Sequence, residues 1–347
     1  MLKVLSLVLA LGSVGACKHA GEGAKPRDNT PEPMEMNSKA KAQMAAAESA
    51  RLELNLAPPP ATVVSKYVVN VKEYGAVGNN LTNDAPAINA AYAAAAASGK
   101  PLYFPAGTYF VGTEQLRFLF NDILYVGISI YGDGPGRSII NAQKVAVSPQ
   151  VLFTATNSPR GDNDYLVLKD LAILTNTAGT GVQFGARNYL DPINEPKIDI
   201  TVINGSTAAT ARAVEINYVL NGDIRLDAKT AGPGTALYLR QASFNYFTGS
   251  YGTARGVSVR LSEGFNDGNV FSAPEMTNCS ICVVSSSPYN QGNTFIGGLW
   301  SYNKNGIVST AGARVMVLNP RLTPALPAKV STFIGGAVGL TVIPATL

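Results

Sequence analysis

From Lys66 onward the chain repeats one local pattern: two apolar residues separated by one position, then a short run of turn formers. The pairs include Ile128/Ile130, Leu166/Leu168, Ile198/Ile200, Val214/Ile216, Ile224/Leu226, Leu237/Leu239, Val257/Val259, Ile281/Val283 and Val315/Val317. A spacing of two sends both side chains to one face of an extended strand. The pattern therefore predicts many short strands, each burying one face. One segment departs from it. Ile88, Ala91, Tyr92 and Ala95 recur at helical spacing, Asp84 is placed to cap the first turn, Pro86 is tolerated there, and Gly99 suits the position past the last turn. A short amphipathic helix over 84–98 is expected, able to plug one end of a larger β structure. No long helical pattern follows Ala97, which argues against a sheet with helical crossovers.

The residues around that helix carry a motif: Tyr74-Gly75-Ala76-Val77-Gly78, Thr82, Asp84, then Pro105, Gly107 and Tyr109, followed by Ile130-Tyr131-Gly132-Asp133-Gly134-Pro135-Gly136-Arg137-Ser138-Ile139-Ile140. The segment 68–140 resembles the pectate lyase superfamily, the right-handed parallel β-helix proteins with rhamnogalacturonase- or epimerase-like domains. Asn79, Asn80 and Asn83 stand where that family more often has Asp, Gly and Asp. The resemblance implies an all-β, single-stranded right-handed parallel β-helix with an N-terminal capping α-helix, over residues 66–347. It also argues against an antiparallel sandwich, the other fold the strand pattern allows. Because the motif residues build the fold, they imply architecture more firmly than catalysis.

Composition agrees with a solenoid. Charged residues make up 14% of the chain, against about 25% in an average globular domain, and Asn, Ser, Thr and Gly fill the exposed positions instead. Before the repeats, Lys3 and the apolar run Val4 to Gly12 read as a signal peptide over residues 1–17. Val14-Gly15-Ala16-Cys17 resembles a bacterial lipobox, in which Cys17 is lipidated, and Lys18 in place of Asp favours delivery to the outer membrane. Residues 18–65 read as a tether, polar at first, then rich in Ala, Lys and Glu, with Pro58-Pro59-Pro60 as a stiff spacer. Its few apolar positions do not sustain the heptads of a trimerising coiled coil. No apolar stretch after residue 20 is long enough to span a bilayer.

Candidate chemistry is limited by the scarcity of histidine, since His19 is the sole one and lies in the tether. That removes a Ser-His-Asp triad and the usual zinc sites from the repeating body. Polysaccharide chemistry there must use carboxylates, Lys, Arg or Tyr. A hydrolase needs two carboxyl groups; a lyase needs a base and a cation or Arg to neutralise a uronate. The net charge of +4 suits an acidic polymer, and calcium is the cofactor to expect if the route is a lyase's. In Asp223-Ile224-Arg225-Leu226-Asp227, the two apolar residues point inward, so Asp223, Arg225 and Asp227 share the outer face. Same-face neighbours lie ~6.7 Å apart, so Asp223 and Asp227 need a partner from an adjacent coil. Asp199 and Glu215 are expected to point outward too, with Arg240, Arg260 and Glu263 extending the surface if register permits. Trp300 and Tyr302 would either stack on sugars or cover a coil end.

Three further readings complete the expectations. Asn293 to Gly298 with Asn303 to Ile307 resembles coils of surface-polysaccharide depolymerases and phage tailspikes, though stacked Asn ladders at turns account for such asparagines too. Cys279 and Cys282 would lie on opposite faces of an extended strand, so they are expected to be unpaired. No dense Lys/Arg stripe suggests nucleic acid. The expected protein is thus an exported, lipid-anchored polysaccharide lyase or glycosidase. The alternatives are a noncatalytic carbohydrate-binding adhesin and a tailspike-like receptor-binding protein, the latter as a homotrimer.

Overall fold

The computed structural model describes residues 67–120, 127–155, 163–164, 166–186, 192–309, 312–324, 333–334 and 340–343. Cys17, the signal segment and the 18–65 tether lie outside the described residues. The described strands pair in parallel throughout, and each pairs with strands one coil before and one coil after it in sequence. The fold is an all-β parallel solenoid, not two facing antiparallel sheets.

Three long ladders run along it, beside a short fourth of Asn163–Asp164, Ile193–Asn194 and Val219–Leu220. The first joins Val69–Asn70, Leu102–Phe104 and Ser129–Gly132 to the opening halves of Val167–Thr175, Lys197–Asn204 and Asp223–Thr230, then to Tyr246–Thr248, Val270–Ser272, Asn293–Ile296 and Val315–Leu318. The second takes the closing halves of those long strands and continues through Ser250–Gly252 and the openings of Glu275–Ser285 and Leu299–Ser309. The third runs through Leu116–Phe120, Val151–Ala155, Thr180–Phe184, Arg212–Asn217, Thr235–Arg240 and Val257–Leu261.

The period-two apolar pairs face the core as expected: Ile224, Leu226, Leu237 and Leu239 are fully buried, while Val257 and Ile281 are half-buried. Like residues stack on like between rungs. Phe118, Phe153 and Phe184 stack with centroids 4.7 and 5.0 Å apart, and Phe247, Phe271 and Phe295 with 4.6 and 4.4 Å. These spacings match the ~4.8 Å between hydrogen-bonded strands, so register and ring stacking enforce each other. At the turn after the third ladder, Asn245 Nδ2 donates to Asn269 Oδ1 at 3.0 Å and Asn269 Nδ2 to Asn293 Oδ1 at 2.9 Å. The expected asparagine ladder is present at Asn293.

The helix α1 spans Ala85–Ser98 and buries Ile88, Ala91, Tyr92 and Ala95, with Tyr92 edge-on to Phe118 at 5.2 Å. Gly99 ends it at φ 64. Asp84 does not cap it. Its carboxylate instead accepts from Val77 N at 2.7 Å and Gly78 N at 3.0 Å, and Asn83 Oδ1 accepts from Ala85 N at 3.1 Å. The motif aspartate thus pins the Gly75–Gly78 turn to the helix start, because two converging amides outcompete the capping geometry. A second correction concerns the cysteines: Cys279 and Cys282 form a disulfide with Cα atoms 5.3 Å apart. The strand is not regular there. Asn278 has φ 54 and the register shifts on both sides of Cys279, a bulge that turns both thiols to the buried side.

Candidate functional site

The outer-face alternation read from Asp223 to Asp227 holds. Asp223 and Arg225 are exposed, Asp227 is half-buried, and Ile224 and Leu226 lie beneath them. Register then sorts the sequence candidates. Lys169, Asp199, Arg225 and Thr248 occupy successive rungs of one outward row, while Lys197, Asp223 and Tyr246 form the row beside it. Arg225 Nε lies 3.8 Å from Asp199 Oδ1, an exposed ion pair of small energetic value. Partial burial pushes the Asp199 carboxyl above its usual value; Arg225 and Lys169 pull it back, while Asp170 and Asp227 add to the rise.

At Asp227 the strand passes from the first ladder to the second. Ala228 pairs with Tyr251 and Ser250 with Glu275, so Asp227, Ser250 and Glu275 follow one another on successive rungs. Ser250 donates twice to Asp227 Oδ1, from N at 3.0 Å and from Oγ at 2.9 Å, fixing the carboxylate's orientation. Arg225, Asp227, Thr248, Gly249, Ser250, Ala273 and Glu275 line a groove of about 570 Å³. Gly249 makes the tight crossing possible: it sits at φ 113, and a Cβ there would collide with the Leu226 carbonyl oxygen. Glu275 is exposed on the groove wall. The sequence signal for it was the buried Met276 beside it, which turns Glu275 outward two coils after Asp227.

Several candidates lie elsewhere. Asp223 is exposed but does not line the groove. Glu215 is not an outward, solvated carboxylate: it is fully buried, bonded by Arg212 at 2.5 Å and by the Thr180 hydroxyl at 2.6 Å. A cation three residues away and a hydroxyl on the neighbouring rung together let it leave water. Trp300 and Tyr302 are not sugar platforms. Trp300 continues the inward row of Tyr251 and Met276, is fully buried, and meets Phe295 edge-on at 5.7 Å; Tyr302 is buried opposite Cys279. Arg240, Arg260 and Glu263 do not extend the groove, because Arg240 and Arg260 belong to the third ladder, with Glu263 just past it. Arg240 pairs with Glu263 at 3.6 Å.

The groove thus carries two carboxylates, Asp227 and Glu275, and one guanidinium, Arg225. Residues 68–230 match the family model described as "Rhamnogalacturonase A/epimerase, pectate lyase-like". This segment is a pectate lyase-like domain by that match. No curated protein matches the sequence. Among solved structures, the chain is similar to ORF18 of Geobacillus virus E2, with 14% identity, TM-score 0.39, and coverage of 88% of this chain and 65% of that one. It therefore spans just under two thirds of that viral protein. It is also similar to DFA-IIIase from Arthrobacter chlorophenolicus A6, with 13% identity, TM-score 0.45, and coverage of 80% and 93%. A third is the surface protein and adhesin PfbA of Streptococcus pneumoniae, with 11% identity, TM-score 0.30, and coverage of 77% and 100%.

Proposed function

We propose that the protein recognises and cleaves an extracellular or cell-wall polysaccharide lying along the groove of Arg225, Asp227, Ser250 and Glu275. The observation that carries this reading is the placement of Asp227 and Glu275 two rungs apart on one ladder, with Ser250 between them. Two rungs of ~4.8 Å set the backbones about 9.6 Å apart. Inverting hydrolysis uses carboxyl groups roughly 6.5–9.5 Å apart, which leaves room for the attacking water, and the rung separation lies close to the upper end of that range. Asp227, oriented by Ser250, is assigned as the base that activates this water. Glu275 is assigned as the acid that protonates the leaving oxygen. Arg225 and Thr248 supply donors for sugar oxygens.

A lyase route is less well served by this groove. Elimination needs positive charge over the uronate carboxyl, whereas Arg225 faces Asp227 and Glu275 and is shared with Asp199. Among the described residues no group of three or more His, Cys, Asp or Glu side chains is gathered to hold a cation, and no step is routed through calcium. The expected acidic polymer is retained as a class, with its charged groups outside the groove. A noncatalytic binder is the second reading, favoured by the exposure of Glu275 and Arg225, since catalytic acids are usually desolvated. Export and a lipid anchor at Cys17 belong to the same proposal, holding the groove at the envelope surface.

A panel of neutral and acidic polysaccharides tests the reading. New reducing ends without ultraviolet-absorbing unsaturated products support hydrolysis. Unsaturated uronides would replace it with a lyase, and tight binding with neither product with the binder.

A further inference from the structure

The third ladder carries a second polar array, away from the groove. Register sets Glu215, Tyr238 and Arg260 on three successive rungs of one row, with Asn217 and Arg240 in the row beside it. The Arg212 guanidinium lies 3.8 Å over the Tyr238 ring and that of Arg240 lies 5.7 Å from it. The Tyr238 hydroxyl bonds Ser262 Oγ at 2.5 Å. The charges are almost matched: Arg212 is paired with Glu215, and Arg240 with Glu263.

Arg260 is left over. It is half-buried, neighbours Tyr238 and Arg212, and makes no ion pair or hydrogen bond among the described residues. Desolvation pulls its guanidinium below the usual Arg value, and Arg212 pulls in the same direction against Tyr238. A guanidinium drawn from water without a counter-ion is a standing cost that an anion removes. The same face also leaves other polar capacity unmet. Both amide atoms of Asn217 and the Arg240 Nε are buried without a hydrogen-bond partner among the described residues.

We propose that Arg260 anchors a second site, outside the groove, that binds a single carboxylate substituent of the polysaccharide. One uncompensated guanidinium matches one negative charge, and its planar fork matches a carboxylate bidentately. This rests on the polysaccharide reading above only for the source of the carboxylate. It places the recognition of acidic sugars on a different face from the carboxylate-lined groove, whose own charge would repel them.

The experiment compares three probes by calorimetry: a glucuronate-containing hexasaccharide, its carboxyl-reduced neutral counterpart, and free acetate. The wild-type protein is expected to bind the acidic hexasaccharide at least tenfold more tightly than the reduced one. Arg260→Gln is expected to erase that difference and Arg260→Lys, which keeps the charge but not the fork, to restore part of it. The difference should persist in Asp227→Asn, so a failed groove assignment leaves this one standing. Retention of the full difference in Arg260→Gln overturns the proposal, as does acetate binding as tightly as the acidic hexasaccharide. Circular dichroism confirms folding, and if Arg260→Gln does not fold, an unchanged affinity ratio in Arg260→Lys is the overturning result.

Discussion

Gly249 and Gly134 have nearly the same φ and differ in what surrounds them, which allows strain and collision to be separated. Gly249 has φ 113 and Gly134 has φ 115. A Cβ at Gly134 would meet nothing within 4 Å, whereas at Gly249 it would strike the Leu226 carbonyl oxygen and come within 2.9 Å of Leu226 N. Placing alanine at such a φ costs on the order of 1–3 kcal/mol. Gly134→Ala should therefore lose about that much and no more. At Gly249 the colliding atoms are backbone of the adjacent rung, held by the pairing of Asp223–Thr230 with Tyr246–Thr248 and Ser250–Gly252, so the rungs must separate. An overpacking cost of roughly 1–3 kcal/mol adds to the strain. Urea unfolding followed by circular dichroism should show Gly249→Ala less stable than Gly134→Ala by that increment. The variant should also weaken polysaccharide binding, since Ser250 and Asp227 flank the displaced crossing. Equal losses at the two positions would refute the reasoning.

Asp227→Asn and Glu275→Gln should each lower turnover by about 10²- to 10⁴-fold, the usual contribution of a general acid or base, with unfolding midpoints little changed; rates within threefold of wild type in both variants would remove the pair. Asp199 carries a raised carboxyl pKa, so the folded state takes up its proton at a higher pH than the unfolded chain does. Its contribution to stability falls as pH rises from its ordinary value of 3.8 through the higher folded value, and Asp199→Asn should flatten that part of a stability-against-pH curve. Cys17→Ser should abolish incorporation of labelled fatty acid in cells, and persistent labelling would remove the anchor from the proposal.

The strands, the helix and the outward face of Asp223 to Asp227 could be read from the sequence because each depends on local periodicity. Which outward residues meet depends on coil length, and local periodicity carries no information about that. Asp199 and Arg225 fall on facing rungs, but Arg260, of the same residue type and parity, falls on another ladder. Burial was misjudged where a partner offsets it: Glu215 looks like any strand carboxylate until Arg212 and Thr180 are brought to it. For Trp300 and Tyr302 the sequence leaves sugar stacking and packing both open, and only the register, which sets Trp300 in the inward row with Met276, decides for packing. At Cys279 and Cys282 a single residue with positive φ reverses the parity that kept the thiols apart.

The asparagine and phenylalanine columns between Asn245 and Asn293 also have a bearing on how the molecule can change length. Both columns advance by the same 24-residue step. Excising or duplicating one such step joins Asn to Asn and ring to ring again, while any other length breaks both columns at once. The solenoid behaves here like a stack of interchangeable tiles: whole coils are the unit in which it can be shortened or extended, and with it any surface that runs along its axis.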